Sequence, residues 1–304
     1  MALRQRQHME VDDRERLRLP VRESCAVASA SLVYPPLLNW AEVGKTLVQV
    51  KKCDGVRADF FRSSANLVRE RGWARLFLVG LDTSLVREVA YNTTRWALYG
   101  AARERFGGRD QLGYGARFGL ALSCGGLGSL LANPFDLIRV RQHAAAKDSF
   151  LYGASELARF LAEQRAVGRG PSALWRGWQV NAARSACFTG GSMLTYEETK
   201  AMLQRNGMEE GPVQHTVAGF CMGLVGTLCY MPADSVRTVI YNQRASAGKA
   251  PESITSVIAG LYANGGILAF FKGTPGAALR TVPACMIFPG VMEQSRKLWG
   301  LEYF

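Results

Sequence analysis

Five side chains pose the first chemical question. Arg87, Tyr91 and Arg95 are spaced i, i+4 and i+8, so on a helix they stack along one face. Arg184 lies 97 residues after Arg87, and Arg280 a further 96. Each of these three arginines follows a glycine by seven positions: Gly80, Gly177 and Gly273. Arg presents a planar fork that matches a carboxylate, and four guanidiniums facing one cavity repel each other unless anions fill it. The ligand such a set suits is a small dianion, one carboxylate toward Arg87 and Arg95 and the other toward Arg184 or Arg280. Neutral and cationic ligands are disfavoured. The alternative is that some of these arginines pair with Glu88 or with backbone and only hold helices together.

The elements that position them follow from the same intervals. A second pattern, Pro-x-acid-x-x-base, appears as Pro134, Asp136, Arg139 and as Pro232, Asp234, Arg237, with the prolines 98 residues apart. A repeat of this length means that the 304 residues form three units rather than two domains. The divisions are a charged N-terminal extension over 1–20 and repeats over 21–108, 109–206 and 207–304. Each unit holds two stretches near bilayer-crossing length. The first are Cys25 to Ala41, Gly113 to Asn133 with Arg117 its only charge, and Val213 to Met231. The second stretch of each unit carries Arg87, Glu88 and Arg95, Arg184, or Arg280. Ionisable groups at that depth are tolerated mainly when they face a water-filled interior. Gly219 with Gly223, and Ala121 with Gly125, are small residues at i, i+4 that let helices approach closely.

Composition agrees once the architecture is seen. A mean hydropathy of −0.02 suggests a soluble protein, but six amphipathic helices around an aqueous cavity give the same average. Hydrophobic residues at 48% exclude a disordered chain. The seven Cys and three His form no C-x-x-C or H-x-x-x-H pairing, so neither a metal site nor a disulfide scaffold is expected. Cys25, Cys124, Cys187, Cys221, Cys229 and Cys285 lie in apolar stretches and are expected as small buried hydrophobes, with only Cys53 in a polar one. No nucleophile, phosphate loop or cofactor motif appears, so no catalytic residue, cofactor or enzyme activity is expected. The formal charge of +12 points to anionic lipid rather than nucleic acid, because no nucleic-acid fold signature accompanies it. The extension mixes Arg4, Arg6, Arg14, Arg16 and Arg18 with Glu10, Asp12, Asp13 and Glu15. The acids argue against a transit peptide, and a mobile or partner-bound segment is expected.

The triplicated proline signature, from about Val21 to Trp299, resembles the mitochondrial carrier family. The resemblance is closest to the subgroup of oxoglutarate/malate carriers, dicarboxylate carriers and uncoupling proteins. It rests on Leu85 to Tyr99, where Arg87, Tyr91, Thr93, Thr94, Arg95 and Tyr99 match the oxoglutarate carrier's second helix, with weaker support from Leu174 to Gly177 and Tyr196. It implies an all-α, multi-pass protein of the mitochondrial inner membrane. Six transmembrane helices would form a threefold pseudosymmetric barrel with a short matrix helix in each repeat. Arg87, Tyr91 and Arg95 would be one substrate contact point, Arg184 with Ser185 a second and Arg280 a third.

The resemblance also implies two gates. On the matrix side the signature acids and bases pair between repeats: Glu42 with Arg139, Asp136 with Arg237, Asp234 with Lys45. The first repeat is irregular. Aligning Pro36 with Pro134 keeps the 98-residue interval but puts Leu38 and Ala41 in the charged slots. Aligning Trp40 instead supplies Glu42, Lys45 and a brace residue, Gln49, and is the preferred register; His143 and Tyr241 take the other brace slots. Such pairs, if exposed, contribute about 0–1 kcal/mol each, as a gate that must open requires. The opposite gate draws on Tyr99 and Arg103, on Tyr196, Glu197 and Lys200, and on Glu293 and Arg296. Gly100 stands where the first acid belongs, so Arg103 is expected to be unpaired. Trp175, Arg176 and Gly177, and Phe271, Lys272 and Gly273, open two helices whose free N–H groups suit a lipid phosphate, by resemblance cardiolipin. Unit one lacks the basic residue beside Gly80, so two good lipid sites and one poor one are expected. The alternative there is that Arg176 and Lys272 are snorkelling residues.

The function so implied is exchange of small di- or oxocarboxylate anions by alternating access. The alternatives are a structural or accessory subunit of a larger inner-membrane complex, motivated by Trp40 and Gly100, and an uncoupling-type proton or fatty-acid carrier.

Overall fold

A set of charged side chains is buried inside the molecule, and stripes of large apolar ones face out. The computed structural model, which describes residues 2–51, 60–106, 113–145, 153–208, 211–243 and 252–300, buries Glu42, Lys45, Arg87, Glu88, Asp136, Arg139, His143, Asp234 and Arg237. It exposes Leu32, Val33 and Leu37, Leu127 and Leu131, and Phe220, Leu224 and Leu228. Within each helix those outward residues recur at four-residue spacing, from Val33 to Leu37, from Leu127 to Leu131 and through Phe220, Leu224 and Leu228, one stripe per helix. This inversion of the soluble pattern suits a lipid exterior and a wet interior.

The helices are α1 (Ala2–Lys51), α2 (Phe60–Arg71), α3 (Trp73–Leu78), α4 (Leu81–Arg105) and α5 (Tyr114–Ala145). They continue with α6 (Gly153–Ala166), α7 (Trp178–Arg205), α8 (Pro212–Asn242), α9 (Ile254–Ala263) and α10 (Thr274–Leu298). No strand occurs among the described residues. The long helices α1, α4, α5, α7, α8 and α10 each pack on the next, and α10 returns to α1, closing a barrel. Within each third a long helix, shorter helical segments and a second long helix follow in order. Among the described residues two helices, Gly115–Ala144 and Val213–Asn242, are long and apolar enough to cross a membrane by composition alone.

Close approach explains the small residues of α8. A Cβ on Gly223 would lie 2.8 Å from the Val282 Cα, and one on Gly219 3.1 Å from the Cys285 carbonyl, both on the backbone of α10. Gly80, Gly177 and Gly273 stand at the starts of α4, α7 and α10 with φ of 66°, 73° and 97°. Only glycine adopts that conformation without strain. Space is tight as well: a Cβ would lie 2.8 Å from the His143 ring at Gly80, 3.0 Å from Ile240 at Gly177 and 3.3 Å from Gln49 at Gly273.

One expectation gains detail and one needs correction. The charged N-terminal extension is helical and continuous with the first span: α1 runs unbroken from Ala2 through Pro20 and the Pro35–Pro36 pair. Its Arg, Glu, Leu and Gln content favours helix strongly enough to extend the first span. The cysteines also divide. Cys124 and Cys285 are buried, Cys25 and Cys221 partly so, and Cys187 and Cys229 are exposed, because the barrel's apolar face is its outside. Cys53 lies outside the described residues.

Candidate anion cavity and charged ring

At one end of the barrel six charges form a ring. Lys45 Nζ lies 3.0 Å from Asp234 Oδ2, Arg139 Nη2 3.4 Å from Glu42 Oε1, and Arg237 Nη1 3.1 Å from Asp136 Oδ1. Each base also contacts the acid of its own helix at i, i+3: Lys45 with Glu42 at 3.1 Å, Arg139 with Asp136 at 3.3 Å and Arg237 with Asp234 at 2.8 Å. These side chains are 0–3% exposed, so the small contribution expected of exposed pairs does not apply to them. Their net worth is therefore small for a different reason: the desolvation of buried charges offsets most of their attraction.

The first repeat joins the ring in the register that sets Trp40 against Pro134. Asn39 and Asn133, one residue ahead of that slot, make equivalent bonds. Asn39 Nδ2 donates to the carbonyls of Phe77 and Val79 at 2.9 Å each, and Asn133 Nδ2 to that of Leu174 at 2.9 Å. Gln49 Nε2 donates to Asp234 Oδ2 at 3.2 Å, and its Oε1 accepts from Thr238 at 2.9 Å, so it ties α1 to the Asp234 side of the Lys45–Asp234 pair. The other brace slots behave differently. The Tyr241 hydroxyl donates to Asn133 Oδ1 at 2.5 Å, with Arg237 5.6 Å above its ring. His143 is fully buried and neither ring nitrogen has a hydrogen-bond partner.

A cavity of about 220 Å³ rises from this ring, lined along α4 from Arg87 to Trp96, along α7 from Arg184 to Ser192 and along α10 from Arg280 to Phe288. Arg87, Tyr91, Arg95, Arg184, Ser185 and Arg280 all line it. Tyr91 and Ser185 share a hydrogen bond of 3.2 Å across α4 and α7. The four arginines are not equivalent. Arg87 contacts Glu88 at 2.5 Å and Asp136 at 3.2 Å, while Arg280 contacts Glu42 at 2.8 Å and Glu88 at 2.7 Å. Both reach down to a ring carboxylate. Arg184 has Asn181 Oδ1 at 3.4 Å, Asp234 only at 4.0 Å and the Tyr230 ring at 5.5 Å. Arg95 faces the Trp96 ring at 5.8 Å and has no carboxylate partner among the described residues.

Glu88 is the main residue that the sequence argument left out of the site. It accepts from Tyr34 at 2.5 Å and Asn92 at 3.4 Å as well as from the arginines. Its only signal was a carboxylate beside Arg87 in the middle of the span, away from Asp82 and Glu104 at the two ends. Asn181 was equally unmarked: it donates to Asp136 at 3.2 Å and accepts from Arg237 at 3.2 Å, joining ring to cavity.

At the other end, Tyr196 shares a hydrogen bond of 2.7 Å with His215, Glu197 is exposed, and the Lys200 carbonyl accepts from Gln214. Arg296 approaches Glu23 at 3.8 Å and Tyr99 packs edge-on to Trp96. The side chains of Arg103 and Glu293 lie outside the described residues. Around the rim, Gly177 and Gly273 cap α7 and α10 without side-chain hydrogen bonds. Trp175 Nε1 donates to the Leu130 carbonyl, Arg176 donates to Gln243, and Lys272 is exposed beside the half-buried Phe271.

Comparisons with known proteins agree with this geometry. The family described as "Mitochondrial carrier protein" matches residues 110–207 and 209–302. "Mitochondrial uncoupling protein 4" of Arabidopsis thaliana is 28% identical over 77% of this chain and 74% of its own. "Mitochondrial 2-oxoglutarate/malate carrier protein" of Caenorhabditis elegans is 26% identical over 87% of both chains. "Mitochondrial dicarboxylate transporter" of Candida glabrata is 26% identical over 86% of this chain and 90% of its own. A helical barrel with an apolar exterior, a charged interior and a family match over most of its length belongs to the mitochondrial carrier family, the membrane transporters of the mitochondrial inner membrane.

Proposed function

We propose that this carrier exchanges small di- or oxocarboxylate anions by alternating access and has no enzymatic activity. The observation that carries the reading is the lining of one cavity by four guanidiniums and, among carboxylates, only Glu88. A cationic, partly enclosed site attracts anions, and Arg forks with the Tyr91 and Ser185 hydroxyls beside them select carboxylate. Relatives named for oxoglutarate/malate and for dicarboxylates support the same class. The ring of Glu42, Lys45, Asp136, Arg139, Asp234 and Arg237 acts as the matrix gate, with Gln49 as its brace. Tyr99, Arg103, Tyr196, Glu197, Lys200, Glu293 and Arg296 form the opposing gate. The glycine-capped starts of α7 and α10, with Trp175, Arg176, Phe271 and Lys272, bind cardiolipin headgroups.

A thermal-shift screen of the purified protein against malate, oxoglutarate, succinate, oxaloacetate, phosphate and sulfate tests this. At least one carboxylate raises the melting temperature, and Arg184→Ala removes that shift while its own unfolding stays cooperative. An undiminished shift in Arg184→Ala rejects the site. No shift with any of these anions favours the accessory-subunit alternative.

A further inference from the structure

The described carboxylates near the cavity divide into the three of the ring, each held by a base of a neighbouring repeat, and Glu88, which sits higher. Glu88 Oε1 takes Arg87 Nη1 at 2.5 Å and Arg280 Nη2 at 2.7 Å, with Arg139 at 3.9 Å. Its second oxygen takes the Tyr34 hydroxyl and the Asn92 amide. Two guanidiniums, a phenol and an amide converging on one carboxylate are what an anion seat provides. Here the protein's own side chain occupies it. The guanidiniums left without a close carboxylate are Arg95, and Arg184, whose nearest carboxylate is at 4.0 Å. They flank the Tyr91–Ser185 hydrogen bond, so two cations and two hydroxyls line the same open stretch of cavity wall.

We propose that Glu88 fills one anion seat permanently, that Arg95 and Arg184 form the open pair, and that this fixes the carried anion at two carboxylates rather than three. The inference rests on the carboxylate-exchange reading and refines it: the dianion spans Arg95 and Arg184 and does not reach Arg280. A third carboxylate would point at Glu88 and meet like charge at close range, which a specificity site uses to reject a competitor.

Glutarate and tricarballylate test it, since they share a five-carbon chain and differ by one central carboxylate. With wild-type protein in detergent, at a pH where all carboxyls are ionised, glutarate binds roughly tenfold or more tighter, the scale of one lost charge-assisted hydrogen bond. Glu88→Gln, nearly isosteric, removes the carboxylate that Arg87 and Arg280 share, leaving each with only its ring partner, Asp136 or Glu42, and reverses or abolishes that preference. Equal or tighter tricarballylate binding by the wild type overturns the inference without any variant, and so does an unchanged ratio in folded Glu88→Gln. If Glu88→Gln fails to fold, the wild-type ratio alone decides. Binding of neither compound, when no other small carboxylate binds, rejects the underlying reading instead.

Discussion

At the scale of single residues, this carrier keeps its charges buried and nearly balanced. Lys45 serves two acids, Glu42 at 3.1 Å and Asp234 at 3.0 Å, and only about 3% of its side chain is exposed. Removing one member of such a pair leaves an unpaired buried charge and costs about 3–5 kcal/mol. Lys45→Ala therefore lowers the unfolding midpoint markedly, whereas Gln49→Ala, which removes hydrogen bonds to Asp234 and Thr238 but leaves every buried charge with an ionic partner, lowers it by less; scanning calorimetry of both variants ranks them. A smaller effect for Lys45→Ala would mean that Gln49 and Arg237 hold Asp234 unaided. The charges of the ring were legible because their spacing repeats. The pairing of Arg87 and Arg280 with Glu88 was legible only as an alternative, because adjacency on a helix does not tell which side chains across the barrel will meet.

At the scale of helices, glycine decides how near two spans come. Gly223 sits where the backbone of α10 leaves 2.8 Å for a Cβ, and backbone cannot move aside as a flexible side chain can. Gly223→Val should separate α8 from α10 and destabilise the fold by about 1–3 kcal/mol, the usual cost of overpacking. Gly126→Ala, on the same kind of helix but with nothing within 4 Å of its Cβ, provides the comparison and should change stability little. Thermal unfolding measures both, and equal effects would show that the α8–α10 crossing is not tightly packed. The spacing of Gly219 and Gly223 pointed to a close crossing; its partner helix could not be read, since several spans carry small residues. The first repeat was hardest to read, because Trp40 stands in the proline slot and the neighbouring Pro35–Pro36 pair suggests a different register. The bonds from Asn39 to the Phe77 and Val79 carbonyls fix it structurally, yet a lone Asn before a Trp carries no sequence signal.

At the scale of the whole molecule, a barrel closed at the ring and lined by four arginines above it has the form that the proposed anion exchange requires. Arg87 links the cavity to Asp136, and Arg280 links it to Glu42, so cavity and ring share carboxylates. The proposed open pair reaches the ring through Arg184, 4.0 Å from Asp234, and an anion held there shifts the balance between closed and open ring only by its differential affinity for the two states. Threefold repetition made this architecture readable from intervals alone, while the burial of the ring depended on packing that intervals do not encode. The measurement that bears most directly on it is uptake of labelled dicarboxylate by proteoliposomes loaded, or not, with unlabelled dicarboxylate. Saturable uptake that requires the internal anion and disappears in Arg184→Ala is the predicted result. A fatty-acid-activated proton flux with no dicarboxylate uptake, or uptake that persists undiminished in Arg184→Ala, would contradict it.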